Sequence, residues 1–254
     1  MTLEQFWFTP GPDYLYPDDN PLGIFTLPHL IWVLITLVLG IIYVRAYLKG
    51  NGKRRSNMRY GMAVFMLFSE IFKICLMTVQ NAPADEFLPL EFCSLSEYLI
   101  LLDSMWPDKT LTKQMMAFAQ MPAALMAVLF PAIVCYPALC FVTIRYFLFH
   151  AGIVIYVIAR YAAGEIDPKY RGIWTSLPIC LVIGIFMQRF DLAFGYNFMF
   201  MVWHNGNPVL KLIWDAAGGR GGIPYIIAFT VFTCIVMHVS YFVYRAISAK
   251  RKKA

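Results

Sequence analysis

Residues 25–46, FTLPHLIWVLITLVLGIIYVRA, decide the fold class. Between Thr26 and Arg45 the only ionisable side chains are His29 and Tyr43. The run is as long as the roughly 20 residues a helix needs to cross about 30 Å of hydrocarbon. Six comparable segments follow at about 59–80, 88–106, 112–133, 140–160, 172–190 and 223–246. The stretch 191–222 is rich in aromatics and glycine and leaves room for an interfacial or re-entrant piece. The composition agrees: 60% of residues are hydrophobic and 14% charged, with a mean hydropathy of +0.62. A soluble domain carries nearer a quarter of charged residues. The expected fold is therefore all-α: a polytopic bundle of about seven transmembrane helices in a cell membrane, with lipids as its first partners.

The distribution of charge orients the chain. Arg45, Lys49, Lys53, Arg54, Arg55 and Arg59 fall between the first two spans without an acid, and Arg245, Lys250, Arg251, Lys252 and Lys253 close the sequence. The opposite side begins with an arm holding Glu4, Asp13, Asp18 and Asp19 and no Lys or Arg. Positive loops face the cytoplasm, so the N-terminus is expected outside and the C-terminus inside, as an odd number of spans requires. The domain plan is an arm over 1–22, one transmembrane domain over 23–247 and a basic tail over 248–254. The net charge of +6 thus reports topology, not nucleic-acid binding. The first span follows an acidic arm and is too long for a cleaved signal peptide. Nucleotide loops, zinc signatures and the Gly-x-Ser-x-Gly elbow are absent, and no metal or cofactor is expected.

Ionisable groups inside a membrane are costly and usually face a bundle interior or a watery cavity. LPLEFCSLSEYL (88–99) places Glu91, Cys93 and Glu97 within two helical turns, with Cys93 and Glu97 on one face. His29, Arg145, His150 and Arg189 fall in the same outer half of their spans, and Asn197 follows closely. Glu70 and Lys73 lie mid-span, three residues apart, as an ion pair would. Gln120 precedes Pro122 and is placed to satisfy a carbonyl that the proline frees. These residues predict a polar cavity open to the outer leaflet, with His29, Glu70, Glu97, Arg145, Arg189 and Asn197 around it. Six cysteines are scattered without metal-like pairing; Cys135 and Cys140 flank a short loop and could pair if it faces an oxidising compartment.

Several motifs recur in order: FTLPHLIW (25–32), the glutamate of FSEIFK (68–73), LPLEFCSL (88–95), RYFLFHAGIVIYVI (145–158) and YNFMF (196–200). In this arrangement the chain resembles the YwaF family of bacterial seven-span membrane proteins. That family is similar, more distantly, to a eukaryotic membrane acyltransferase that uses a cysteine and a histidine on ether phospholipids. The resemblance puts His150 and His29 on family histidines, Asn197 on the asparagine after the sixth span, and Cys93 on the bacterial cysteine. Where the family usually reads Leu-Pro-Leu-His-x-Cys, this chain has Glu91 for the histidine, and the eukaryotic nucleophile falls nearer Leu90.

The resemblance implies an enzyme acting on phospholipid acyl chains: Cys93 as nucleophile, His150 as base and acid, Glu91 or Glu97 orienting it. Without the thiol, Glu91 and His150 could activate water for hydrolysis. Arg145 or Arg189 would hold the phosphate. Buried acids and broken helices equally suit a proton-coupled transporter or lipid flippase, and a non-catalytic assembly or sensor protein is the third reading. A transporter needs polar groups through its full depth, and few stand in the inner half.

Overall fold

The structure is a computed structural model that describes residues 6–7, 22–82, 84–134 and 136–251; most of the acidic arm, Cys135 and the last tail residues lie outside them. Helix α1 (Leu27–Leu48) starts at Thr26, with Pro28 in its first turn, where a missing N–H costs nothing. Helix α2 (Gly52–Val79) is capped by Asn51, whose side-chain oxygen accepts from the Arg54 N–H at 2.9 Å. After it come α5 (Phe141–Ala162), α6 (Tyr170–Phe194) and α8 (Ile223–Arg251). These five helices are long and apolar enough to cross a membrane.

The other two expected crossings differ from plain helices. The segment 88–106 is not one span. After a single turn, Ala84–Phe87, the chain runs irregularly to a 3₁₀ turn, Phe92–Ser94, and only then forms α3 (Leu95–Met105). Pro89 explains the break, because it lacks an N–H and drives Leu88 out of helical geometry. Eleven residues rise about 16 Å, half of a hydrocarbon core. Irregular backbone at membrane depth is tolerated only when protein covers it or it lines a cavity.

Helix α4 runs as Thr110–Met115, loosens into a π turn over Met116–Gln120 and resumes as Met121–Leu129. Pro122 removes the N–H that would reach back to Phe118, which accounts for the loosening. Gln120 does not serve the freed carbonyl; its Oε1 accepts from the Ser96 hydroxyl of α3 at 2.7 Å. The region 191–222 supplies a 3₁₀ turn, Phe198–Phe200, and a short helix α7 (Pro208–Ala216).

In the packing, α3 lies on α2, α1 and the last part of α4 lie on α5, α8 lies on α6, and α7 lies on α8. Met66, Ile100, Phe118, Phe149, Ile153 and Tyr156 fill the centre. Large apolar side chains such as Leu37, Phe68, Phe186 and Phe242 point outward. That is the reverse of a soluble surface and suits a lipid solvent.

One end of the bundle is bolted by charge. Arg160, 1% exposed, pairs with the Asp103 carboxylate, donates to Glu165 Oε2 at 2.9 Å and to the Pro107 carbonyl at 3.1 Å. Tyr156 donates to Asp103 at 2.6 Å, and Tyr47 of α1 donates to Glu165 at 2.7 Å. Arg55 and Arg59 of α2 complete the group, each 3.5 Å from Glu165. Burial by itself would raise the Glu165 carboxyl, but the Tyr47 hydroxyl and the Arg160 guanidinium outweigh it and hold it below its ordinary value. Four helices meet in this network. Arg160 is among its most buried members.

Candidate functional site

At the other end the helices surround a chamber of about 950 Å³. Lys73 of α2, Glu91 and Cys93 of the irregular stretch that leads into α3, Arg145 and His150 of α5, and Asp191 of α6 line it. Packing thus brings Cys93, Glu91, Arg145, His150 and Asn197 to one space. His29, Glu70, Glu97 and Arg189 do not line it.

The state of His150 follows from its partners. Its Nδ1 lies 2.7 Å from the Tyr146 carbonyl of the preceding turn. A carbonyl only accepts, so Nδ1 carries the proton and the neutral ring presents Nε2 as a lone pair. The Tyr146 ring packs against the imidazole with centroids 4.2 Å apart. The Tyr146 hydroxyl is itself fixed, accepting from the Ala132 N–H and donating to the Ala127 carbonyl, each at 3.2 Å. The imidazole is therefore held in one orientation by α5 and by the end of α4. Cys93 stands half-buried in the 3₁₀ turn that opens α3.

Both cations of the chamber wall pair with Glu70, which stands behind them. Lys73 Nζ is 2.6 Å from Glu70 Oε1, and the Arg145 guanidinium pairs with its other oxygen. Arg145 also donates to the Ser69 carbonyl at 3.2 Å and lies 4.9 Å over the Phe149 ring. Glu70 and Lys73 therefore stand level with Arg145 in the chamber half, not deeper in the inner half. Glu97 is 1% exposed, with one carboxylate oxygen that accepts no hydrogen bond; it backs this trio without reaching the chamber.

Glu91 and Asn197 build the wall beyond α6. Gly195 ends that helix in the left-handed conformation, and Met199 and Phe200 then adopt φ of 56° and 57°. Bulky residues rarely hold such angles, at a cost of about 1–3 kcal/mol each. Glu91 Oε2 accepts the Met199 N–H at 3.1 Å. Asn197 Oδ1 accepts from the Val202 and Trp203 N–H groups at 3.0 and 3.2 Å, and Gln188 donates to the Met201 carbonyl at 3.2 Å. Three polar side chains thus fasten one strained loop over the chamber.

His29 is a structural residue. Its Nδ1 accepts from the Phe25 N–H at 3.0 Å and its Nε2 donates to the Val128 carbonyl at 2.9 Å, which ties α1 to the end of α4. Arg189 is exposed and is not among the residues that line the chamber. The proposed Cys135–Cys140 pair involves a position outside the described residues.

Sequence reasoning missed Asp191. It is fully buried at the chamber wall, and neither carboxylate oxygen has a hydrogen-bond partner, although the Phe198 N–H faces it. It falls one residue past the expected end of its span, so a generous boundary would have found it. Asp103 stands inside the segment 88–106 and the rule about buried acids applies to it directly. No group of three or more His, Cys, Asp or Glu side chains among the described residues could hold a metal ion.

The model of the TMEM164 family matches residues 24–244, which spans every helix around the chamber. No curated protein and no solved structure matches the chain.

Proposed function

The chain belongs to the TMEM164 family of membrane proteins, and from the geometry of its chamber we propose that it transfers or hydrolyses phospholipid acyl chains. The observation that carries the reading is one cavity lined by Cys93, Glu91 and His150, with the imidazole held so that Nε2 is the free base.

In this mechanism His150 Nε2 takes the Cys93 thiol proton, and the thiolate attacks the ester carbonyl of a phospholipid. The tetrahedral intermediate collapses, the ester C–O bond breaks, and the leaving alkoxide takes the proton from Nε2. The acyl group is then a thioester on Cys93. An acceptor lysophospholipid hydroxyl, or water, gives its proton to Nε2 and attacks the thioester; the sulfur leaves and recovers the proton. The histidine acts as base and acid twice, as the Cys–His arrangement requires. Lys73 and Arg145 are the cations available to the phosphate, since Arg189 does not line the chamber. Water activated by Glu91 and His150 is the hydrolytic variant.

The basic loops support a seven-pass topology, N-terminus outside and C-terminus cytoplasmic, with the broken third crossing counted as one pass. The chamber then opens toward the outer leaflet.

Transport is the second reading, favoured by Asp191 and Glu97, buried carboxylates with unpartnered oxygens of the kind found in proton relays. Against it stands the closed network of Asp103, Arg160 and Glu165 across the opposite end.

The test is purified protein with mixed phospholipids and lysophospholipids, with acyl exchange and release followed by mass spectrometry for wild type, His150→Ala and Cys93→Ala. Turnover that disappears in His150→Ala supports the enzyme, and Cys93→Ala reports whether a thioester forms. No turnover above an empty-membrane control from folded protein sinks it in favour of transport.

A further inference from the structure

The ionisable residues of the chamber stand at one end, and the rest of its wall has a different character. Between α4, α6 and α8 the chamber is lined by Ala119, Ala123, Cys180, Gly184, Thr233 and Val236. None of these carries a charge, and most are small. The Thr233 hydroxyl is spent on the Phe229 carbonyl at 2.9 Å, so it offers the space only a methyl group. Along α6 the lining extends from Asp191 down to Leu177, about 21 Å at the helical rise. A space of this kind gives water few hydrogen-bond partners.

A second space lies on the outside of the seam between α7 and α8. It measures about 700 Å³, is lined by Leu212, Ile227, Val231 and Ile235, and shares Val209 and Phe232 with the chamber as a common wall. Leu212 and Ile227 are among the strongly exposed apolar side chains, so this groove faces the surrounding lipid.

We propose that the deep half of the chamber binds one long unbranched acyl chain, admitted from the bilayer through the α7–α8 seam at Val209 and Phe232. The inference rests on the acyl-chemistry reading, because it sets the ester end of that chain beside Cys93 and His150. The occupant follows from the lining and the medium. This part of the chamber is apolar and shares Val209 and Phe232 with a groove that faces acyl chains, and Lys73, Glu91, Arg145 and His150 line the same chamber where an ester and a phosphate belong. Lipid tails are as apolar as the side chains that line this part, so burial contributes little driving force and shape decides which chain fits. Ala123, Cys180 and Thr233, small residues that line the chamber from three helices, are then the residues that set chain length.

The experiment uses full-length protein in phosphatidylcholine vesicles with a graded series of saturated acyl lengths. Ala123→Leu, Cys180→Leu and Thr233→Leu each put a larger apolar side chain into the apolar part of the chamber and leave Cys93, Arg145 and His150 unchanged. Each is expected to shift the ratio of short-chain to long-chain turnover by about tenfold, the discrimination a few methylenes give in an apolar pocket. In parallel, a phosphatidylcholine with a photoreactive group at the end of its chain is cross-linked to wild-type protein and the labelled peptides are mapped. Label on the α4 and α6 segments containing Ala123 and Cys180 is the expected result. An unchanged chain-length profile in the three variants, or label confined to the outward faces of α1 and α2, would overturn the proposal. Should wild type show no turnover while terminal label still maps to Cys180 and fades in Cys180→Leu, the acyl site stands and the chemistry of the preceding section falls. If a variant fails to fold, the cross-link map of wild type decides.

Discussion

At the basic end of the bundle, Arg160 directs its donors at Asp103, Glu165 and Pro107, and Tyr47 and Tyr156 add hydrogen bonds to the same two carboxylates, leaving one Asp103 oxygen without a hydrogen-bond partner. At the other end, Lys73, Glu91 and Arg145 border an open chamber, and Asp191 keeps two carboxylate oxygens without a partner. Both groups hold acids and bases away from bulk water. They differ in whether protein fills the space between them. A filled network makes relative motion of α1, α2, α3 and α5 expensive. A buried carboxylate at the wall of a chamber, as Asp191 is, is costly unless a ligand or water completes it, which is a mark of a site.

The comparison is broken most severely by removing Arg160. Arg160→Met leaves Asp103 buried and uncompensated, and unfolding should become easier by about 3–5 kcal/mol, read as a large drop in the detergent melting temperature. If the protein melted like wild type, the network would not be what holds this end together.

His150→Ala tests the other end. It should cost roughly 100-fold or more in lipid turnover while the melting temperature moves little, since the ring donates a single hydrogen bond, to its own helix. A loss of stability comparable to that of Arg160→Met would assign His150 a structural role.

Smaller effects sharpen the picture. Tyr47→Phe removes two hydrogen bonds, the one donated to the Glu165 carboxylate and the one accepted from Arg59; the loss to a charged carboxylate alone is about 1.5–3 kcal/mol, and turnover in folded protein should match wild type. The gentlest probe is acid. The Glu165 carboxyl is held below its ordinary value, so its contribution is present above the unfolded value of about 4.3. It is lost as pH falls through the folded value. Melting temperature should decline below about pH 5, and Glu165→Gln should start lower and flatten that part of the decline. A variant with the wild-type slope would show that other acids govern it.

The helical class and the position of most long helices were legible from apolar run length alone, because a membrane helix must satisfy its backbone internally and the runs are as long as the bilayer is thick. The break in the expected third crossing was written in the sequence too, in Pro89, but it was masked by the hydrophobic residues around it. The candidate site was legible in kind and only partly in membership. Cys93, Glu91, Arg145, His150 and Asn197 reach the chamber, while His29 and Arg189, at similar expected depth, do not. Lys73 and Asp191 join it. Position along a span gives depth, but the direction a side chain takes around its helix has meaning only relative to neighbours that pack against it.

The sequence by itself determined a multi-pass helical membrane protein with its polar residues concentrated rather than scattered. Hydrocarbon penalises every exposed peptide group and charge, and that penalty acts on each segment locally. Tertiary packing decided which of those charges close on each other and which surround a space. Asp103, Arg160 and Glu165 meet because α3 and α5 and the loop after α5 converge, while Cys93 and His150 share a chamber because the chain just ahead of α3 leaves the α-helical path.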